Sequence, residues 1–250
     1  MVYRESASLY DQLMEHVPYD KWTTFTKQVI KQRQKHIQTV VDLGCGTGNI
    51  SLRLAKEGLQ VIGVDSSSEM LTYAQQKASN CNLQIQWILK DIRQMDGLKE
   101  VDAAVSYCDV INYITTQNDL KKTFKSVYQI LKPGGIFIFD VHDIDFIEQH
   151  YINHTFADVT DESAYIWFCL AGETRGEMFH ELTFFHKVDT FYDRFEEVHH
   201  QKTYPLHVYK ELLNQCGFTK IDHSYDFVTK NENKITNGER IFIIAEKGSE

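Results

Sequence analysis

The sequence predicts an α/β fold: a doubly wound, mostly parallel sheet of seven strands, with helices ahead of it and an antiparallel β insertion within it. Three observations carry that expectation. From residue 37 to about residue 150, short β-prone runs alternate with runs of helical period. A glycine-rich turn joins the first of those strands to the helix behind it. After residue 150 the chain becomes aromatic-rich and β-prone, with turn-like breaks, before the earlier alternation resumes near residue 205.

Residues 5–16 and 19–36 space their apolar side chains three or four apart, through Leu9 and Leu13 and then Trp22, Phe25, Val29 and Ile30, so two helices should precede the sheet. IQTVVDL, the helical NISLRLAKEG and QVIGVD then read as strand, helix and strand, a βαβ unit with a right-handed crossover. SSEMLTYAQQKAS (helix), LQIQWIL and VDAAVSY (strands), LKKTFKSVYQILK (helix) and GIFIFDV (strand) extend the parallel sheet. SAYIWFCL, EMFHELTFFHKV and FYDRFEEVHHQKTY, parted by AGETRG and DT, read as antiparallel strands of an insertion over residues 152–204. HVYKELLNQCG is a helix ending on Gly217, and FTKIDHSY and RIFIIAEK close the sheet.

At 250 residues, with 42% hydrophobic and 24% charged residues, the chain suits one sizeable folded core with an elaboration. The N-terminal residues lack an apolar signal-like core and no run approaches membrane-spanning length, so the cytoplasm is the expected compartment and no membrane partner is expected. Five dispersed cysteines without a C-x-x-C pair signal neither disulfides nor zinc. A net charge of -9 would repel a polyanion, which makes a nucleic-acid partner unexpected; Lys27, Lys31, Arg33 and Lys35 read as a solvated helix face.

Val40-Val41-Asp42-Leu43-Gly44-Cys45-Gly46-Thr47-Gly48-Asn49 puts three glycines on alternate positions between a buried strand and a helix, where a ligand can approach bare backbone. Asp65 ends the second strand, 21 residues after Gly44, where a carboxylate can accept both hydroxyl protons of a ribose. A dinucleotide site wants G-x-G-x-x-G, but position 49 is Asn. Asp42 beside the loop suits a sulfonium or ammonium better than a pyrophosphate, by the sign of the charge alone.

With these motifs the sequence resembles the class I S-adenosyl-L-methionine (SAM)-dependent methyltransferases, in particular small bacterial methyltransferase-domain proteins with a tyrosine-rich first helix and D-L-G-C-G-T-G. The resemblance spans residues 1–150 and 205–247. It implies a Rossmann-like fold and a division into a SAM-binding domain, residues 1–151 with 205–250, and the insertion of residues 152–204, a possible substrate lid. It implies further that Asp42, Gly44, Cys45, Gly46 and Gly48 pass around the methionine part of SAM and that Asp65 holds the ribose. Ser66 and Met70 would flank the adenosine, Asp91 and Ile92 the adenine edge. Cys108, Asp109 and Val110 would line the cofactor, and Tyr3 and Tyr10 would close over it. The L-K-P-G-G turn of the family stands at Leu131 to Gly135.

The loop after the fourth strand, residues 106–113, should face the reactive methyl, because ligands of open α/β sheets bind beyond the strands' carboxyl ends. Asn112 and Tyr113 are added to the site on that ground. The loop holds no N-P-P-Y or D-P-P-Y, which disfavours exocyclic-amine chemistry on nucleic acids, and Cys108 follows Tyr107 rather than a proline. Displacement at a sulfonium needs alignment and a base only for a protonated acceptor. His142 and Asp109 are the catalytic candidates, with His199 and His200 behind them. Asp140, His142, Asp143 and Asp145 could form a metal cluster, but no metal is expected. The insertion's aromatics, among them Tyr165, Trp167, Phe168, Phe184 and Phe195, either roof a pocket or form their own sheet's core. The expected function is methyl transfer to oxygen or nitrogen of a small-molecule acceptor, in a chain that could be a homodimer. An RNA or protein acceptor, a SAM-binding protein without turnover, and a nicotinamide oxidoreductase remain alternatives.

Overall fold

The computed structural model describes Ala7, Asp11, Met14, residues 17–228 and residues 237–248. Tyr3, Tyr10 and most of the first expected helix lie outside the described residues. In chain order the elements are α1 (Tyr19–Gln32), β1 (Thr39–Leu43), α2 (Asn49–Lys56), β2 (Gln60–Asp65), α3 (Ser68–Asn80), β3 (Gln86–Leu89) and β4 (Val101–Ser106). A 3₁₀ turn (Val110–Tyr113), α4 (Gln117–Ile130), β5 (Leu131–His142) and α5 (Ile144–His150) follow. The insertion holds β6 (His154–Val159), β7 (Ser163–Ala171), β8 (Glu177–Val188) and β9 (Phe191–Lys202), and α6 (Leu206–Gln215), β10 (Phe218–Tyr225) and β11 (Arg240–Lys247) complete the chain.

The large sheet has seven strands in the order β10-β11-β5-β4-β1-β2-β3. β1 to β5 are mutually parallel, while β11 runs antiparallel to β5 and β10 to β11. The chain winds outward from β1 to β3 and returns to β4 on the other side of β1, so the switch point of the fold lies between β1 and β4. Alternation along the strands feeds two cores. Ile241, Ile243 and Ala245 of β11 face Leu120, Phe124 and Val127 of α4 and Tyr209 of α6; Phe242 and Ile244 face Trp22, Phe25 and Val29 of α1. Burial of both faces explains why β1, β4 and β5 read as nearly continuous apolar runs.

Several boundaries differ from expectation. α1 stops at Gln32 rather than residue 36, because Gln34 takes a positive φ and the chain turns toward β1. The L-K-P-G-G segment belongs to β5 as a bulge: Val101 pairs with Leu131 but Ala103 with Ile136. The insertion forms a four-stranded antiparallel sheet, order β6-β7-β8-β9, whose first strand HTFADV was not foreseen because its residues are mostly exposed. One face of this sheet holds Phe156, Trp167, Cys169 and Met178, which pack with Ile147 and Ile152. The opposite face leaves Ile166, Phe168 and Val198 exposed. The insertion's aromatics therefore divide between the sheet's own core and solvent. Among the described residues no helix is long and apolar enough to cross a membrane.

Candidate functional site

Two loops meet at the switch point, one after β1 and one after β4. Gly44, Gly46 and Gly48 all have positive φ, which turns the first loop sharply back on its strand. Gly44 supports the second loop directly: a Cβ there would lie 2.4 Å from Cγ1 of Val110. A Cβ on Gly46 would meet no atom within 4 Å, so the loop presents open backbone at its middle glycine. Cys45 is buried beside it. Asp65 ties the loop to the next element, its Oδ2 accepting from the Gly46 N–H at 2.8 Å and its Oδ1 from the Ser67 N–H at 2.9 Å. Each oxygen keeps a lone pair that can accept from a ligand hydroxyl.

Asp42 is buried at the end of β1 and accepts from Ser51 Oγ at 2.6 Å. Burial pushes its carboxyl up to about 7, against the pull of that hydrogen bond. Ser66 is exposed, whereas Met70 is half-buried on α3, whose N-terminus is capped by Ser67 Oγ accepting from the Met70 N–H. Asp91 is held by its neighbour: Arg93 donates to it from the backbone N–H, Nε and Nη2. Ile92 is half-buried against the main core.

The loop after β4 carries two consecutive left-handed residues, Cys108 (φ 57°) and Asp109 (φ 55°). Neither is glycine, so the conformation costs energy that its contacts must offset. The Asp109 N–H donates to Asp140 Oδ1 at 3.2 Å. One nitrogen of Arg240, Nη1, donates to Asp109 Oδ1 at 3.1 Å and to Asp140 Oδ2 at 2.9 Å, and Trp22 Nε1 donates to the same Asp140 oxygen. Gln201 Nε2 donates to Asp109 Oδ2 at 2.8 Å. Burial alone would raise the Asp109 carboxyl, but the His142 ring, Arg240 and Gln201 together hold it well below the usual carboxylate range. Asp140 is pushed up by burial.

His142 lies at the end of β5 with Nε2 3.7 Å from Asp109 Oδ2, too long for a hydrogen bond but close enough for attraction. Its Nδ1 is buried with no partner among the described residues. Of the other histidine candidates, His199 and His200 point to opposite faces of β9. His199 reaches the site, with Nδ1 3.1 Å from the Tyr113 hydroxyl and Nε2 3.0 Å from Glu197. His200 stacks on Phe179 and pairs with Glu177 on the other face. Asn112 is buried and structural: its Oδ1 accepts from the His142 N–H and its Nδ2 donates to the Lys202 carbonyl. Asp140, Asp143 and Asp145 do not converge on a metal position. Asp143 caps α5 by accepting from the N–H groups of Asp145 and Phe146, and Asp145 pairs with Arg175.

Five residues of this region were not singled out in the sequence. Trp87 of β3 lies across from Gly63 of β2, and a Cβ on Gly63 would sit 2.4 Å from its ring. That glycine inside a strand was a usable signal of close approach. Asp11 accepts from Thr47, Asn49 and Lys77, and so fastens an N-terminal residue to the glycine loop. Arg240, Gln201 and His180 reach the site only through strand pairing, and nothing local in the sequence distinguishes them. Of the basic stretch expected to be a solvated helix face, Lys27 on α1 pairs with Glu57, whereas Arg33 and Lys35 lie past the end of α1, their side chains largely buried and paired with Asp222 and Glu246.

Comparison with known proteins places this geometry. The family described as "Methyltransferase domain" matches residues 40–135, from β1 through the bulge of β5. YqeM of Bacillus subtilis, which carries a methyltransferase name, is 41% identical over 248 residues, covering 99% of this chain and 98% of that one. The crystal structure of an S-adenosylmethionine-dependent methyltransferase from Clostridium acetobutylicum superposes with a TM-score of 0.87 at 30% identity, covering 99% of this chain and all of the other. A glycine/sarcosine N-methyltransferase of Aphanothece halophytica is 27% identical over 209 residues, 79% of this chain and 73% of that one.

Proposed function

The chain belongs to the SAM-dependent methyltransferases, and from that premise we propose that it transfers the methyl group to an amine or hydroxyl of a small molecule held between the β4 loop and the four-stranded sheet. The residues present fit the cofactor. Gly46 offers unobstructed backbone, Asp65 has acceptor capacity left for a ribose diol, and Asp109, held ionised, and Asp42, which ionises only near pH 7, flank the loops where a cation would be stabilised. Cys108 and Val110 complete the wall on the β4 side. SAM supplies an activated methyl on a positively charged sulfur.

The chain's own work is to align the acceptor, exclude water and take a proton when the acceptor starts protonated. One observation carries the assignment of the base: the buried Nδ1 of His142, without a hydrogen-bond partner among the described residues, with Asp109 behind Nε2. If Nε2 holds the ring's proton toward Asp109, Nδ1 accepts the acceptor's proton and the carboxylate stabilises the imidazolium. Asp109 is then the orienting anion and not the base, since Arg240 and Gln201 already occupy its oxygens. Support for a small acceptor comes from the glycine/sarcosine N-methyltransferase relative, and the chain's net charge of -9 argues against RNA. Residues 152–204 act in this reading as the roof of the acceptor site. A homodimer is expected as part of it, to be read as twice the chain mass in sedimentation.

The test begins with calorimetric titration of SAM. Asp65→Ala should weaken binding by about 1–3 kcal/mol; no SAM binding by the unaltered protein would remove the cofactor assignment to these loops. S-adenosylhomocysteine (SAH) release is then followed over amines, beginning with glycine and sarcosine, and over hydroxyl acceptors. With a turning-over acceptor, His142→Asn should lower kcat by roughly 10²–10⁴-fold while SAM affinity holds. Unchanged kcat would exclude His142 as the base.

A further inference from the structure

The polar groups beneath the four-stranded sheet form a single directed chain. Trp167 Nε1 can only donate, and it donates to His180 Nδ1 at 2.8 Å. Nδ1 of His180 is therefore bare, and the ring's proton sits on Nε2, which donates to Gln201 Oε1 at 3.2 Å. That contact orients the Gln201 amide, leaving its Nε2 to donate to Asp109 Oδ2 at 2.8 Å. His180 and Gln201 are both buried, on β8 and β9. Burial depresses the His180 ring to about 4, in keeping with a neutral imidazole that has a single tautomer to offer.

The far end of the chain is an anion whose other oxygen is already taken by Arg240. Without Gln201, Oδ2 of Asp109 would face only the His142 ring at 3.7 Å, and the carboxylate could turn or take up a proton. Three strands of a sheet outside the glycine-loop domain thus converge, through three side chains, on one carboxylate oxygen of the β4 loop. Val110, the next residue, rests against the backbone of Gly44. The aim of Asp109 is consequently held relative to the cofactor loop on one side and to the small sheet on the other.

We infer that Gln201, oriented by His180 and Trp167, is a positioning residue that keeps Asp109 an aimed anion, and that through it the site distinguishes the cationic sulfonium of SAM from the neutral thioether of SAH. The inference rests on the reading that Asp109 lines the cofactor. A negative charge fixed near the sulfur favours the charged cofactor and is indifferent to the neutral product, so it aids capture of one and release of the other.

Affinities for SAM and SAH, measured by calorimetry on the full chain, supply the test through the ratio Kd(SAH)/Kd(SAM). A purely structural lesion weakens both ligands alike and leaves the ratio unchanged. Asp109→Asn should lower the ratio at least about five-fold. Gln201→Met, close in shape to glutamine, and Gln201→Leu, neither of which can donate to Asp109, should each lower it about three-fold or more, with Trp167→Phe moving it in the same direction by less. If Asp109→Asn leaves the ratio unchanged, Asp109 does not face the sulfur and the underlying reading fails. If Asp109→Asn lowers it while both Gln201 variants keep it, Asp109 stands and the inference about Gln201 is overturned. Circular dichroism of each variant identifies any that fail to fold, and the second Gln201 substitution keeps the comparison decisive.

Discussion

At the scale of single residues, Gly44 and Gly46 make a contrast that separates folding from binding. Both have positive φ, where an alanine is strained by roughly 1–2 kcal/mol. At Gly44 the new methyl would also collide with Val110, adding an overpacking cost of about 1–3 kcal/mol. At Gly46 it would enter empty space. Gly46→Ala should therefore lose only that much stability, roughly 1–2 kcal/mol, in urea titration while SAM affinity falls more than ten-fold. Gly44→Ala should lose both. A Gly46→Ala protein with intact SAM affinity would show that the space beside Gly46 is not the ligand's. These glycines and Asp65 were legible in the sequence because the whole motif lies within a 26-residue βαβ stretch, from Val40 to Asp65, where spacing alone fixes proximity. Asp91 shows the limit of that logic. Its position at a strand end was foreseen, but Arg93 two residues on takes up its oxygens, and such local pairing cannot be read from spacing.

At the scale of elements, the β4 loop works because other elements hold it. Asn112 in the 3₁₀ turn satisfies the His142 N–H at the end of β5 and the Lys202 carbonyl at the end of β9, with its side chain fully buried. Thr203 Oγ1 donates to the His142 carbonyl, and Ser106 Oγ to the Leu43 carbonyl. Asn112→Ala would leave a buried N–H and a buried carbonyl unpaired, at about 1–3 kcal/mol for each group. Urea denaturation should show a loss of about 2–6 kcal/mol, and a loss under about 1 kcal/mol would mean that the three elements are not joined through this amide. Placing residues 106–113 at the site was possible from sequence, since strand order and strand ends follow from the alternation. Separating Asn112, a structural strap, from Asp109, a carboxylate held by Arg240 and Gln201, was not. Their partners lie 30 to 131 residues away, on β5, β9 and β11. The same distance hid Arg240, which in sequence is only the first residue of a strand.

At the scale of the whole molecule, two buried groups set opposing trends in stability with pH. His180 titrates near 6.5 when unfolded and at about 4 when folded. Between those values the unfolded chain holds a proton that the native chain does not, so the His180 contribution rises with pH across that window and is level above it. Asp42 moves from 3.8 to about 7, so between those values the native chain holds the extra proton and its contribution falls as pH rises. Each slope approaches about 1.4 kcal/mol per pH unit. From about pH 4.5 to 6.5 these two contributions oppose one another. His223, lowered by burial, adds to the His180 side. His180→Gln keeps an acceptor for Trp167 while removing the titration. Relative to the unaltered protein, the variant should gain about 3 kcal/mol of stability on going from pH 7.5 to 4, because only the unaltered chain must hold a buried imidazole neutral in acid. Urea denaturation of both proteins at matched pH measures that difference directly, and cancels Asp42, His223 and every carboxylate common to the two. A pH-independent difference would mean that His180 titrates alike in both states. The imidazole would then be reached by water, and the directed chain from Trp167 to Asp109 would have no fixed tautomer to start from.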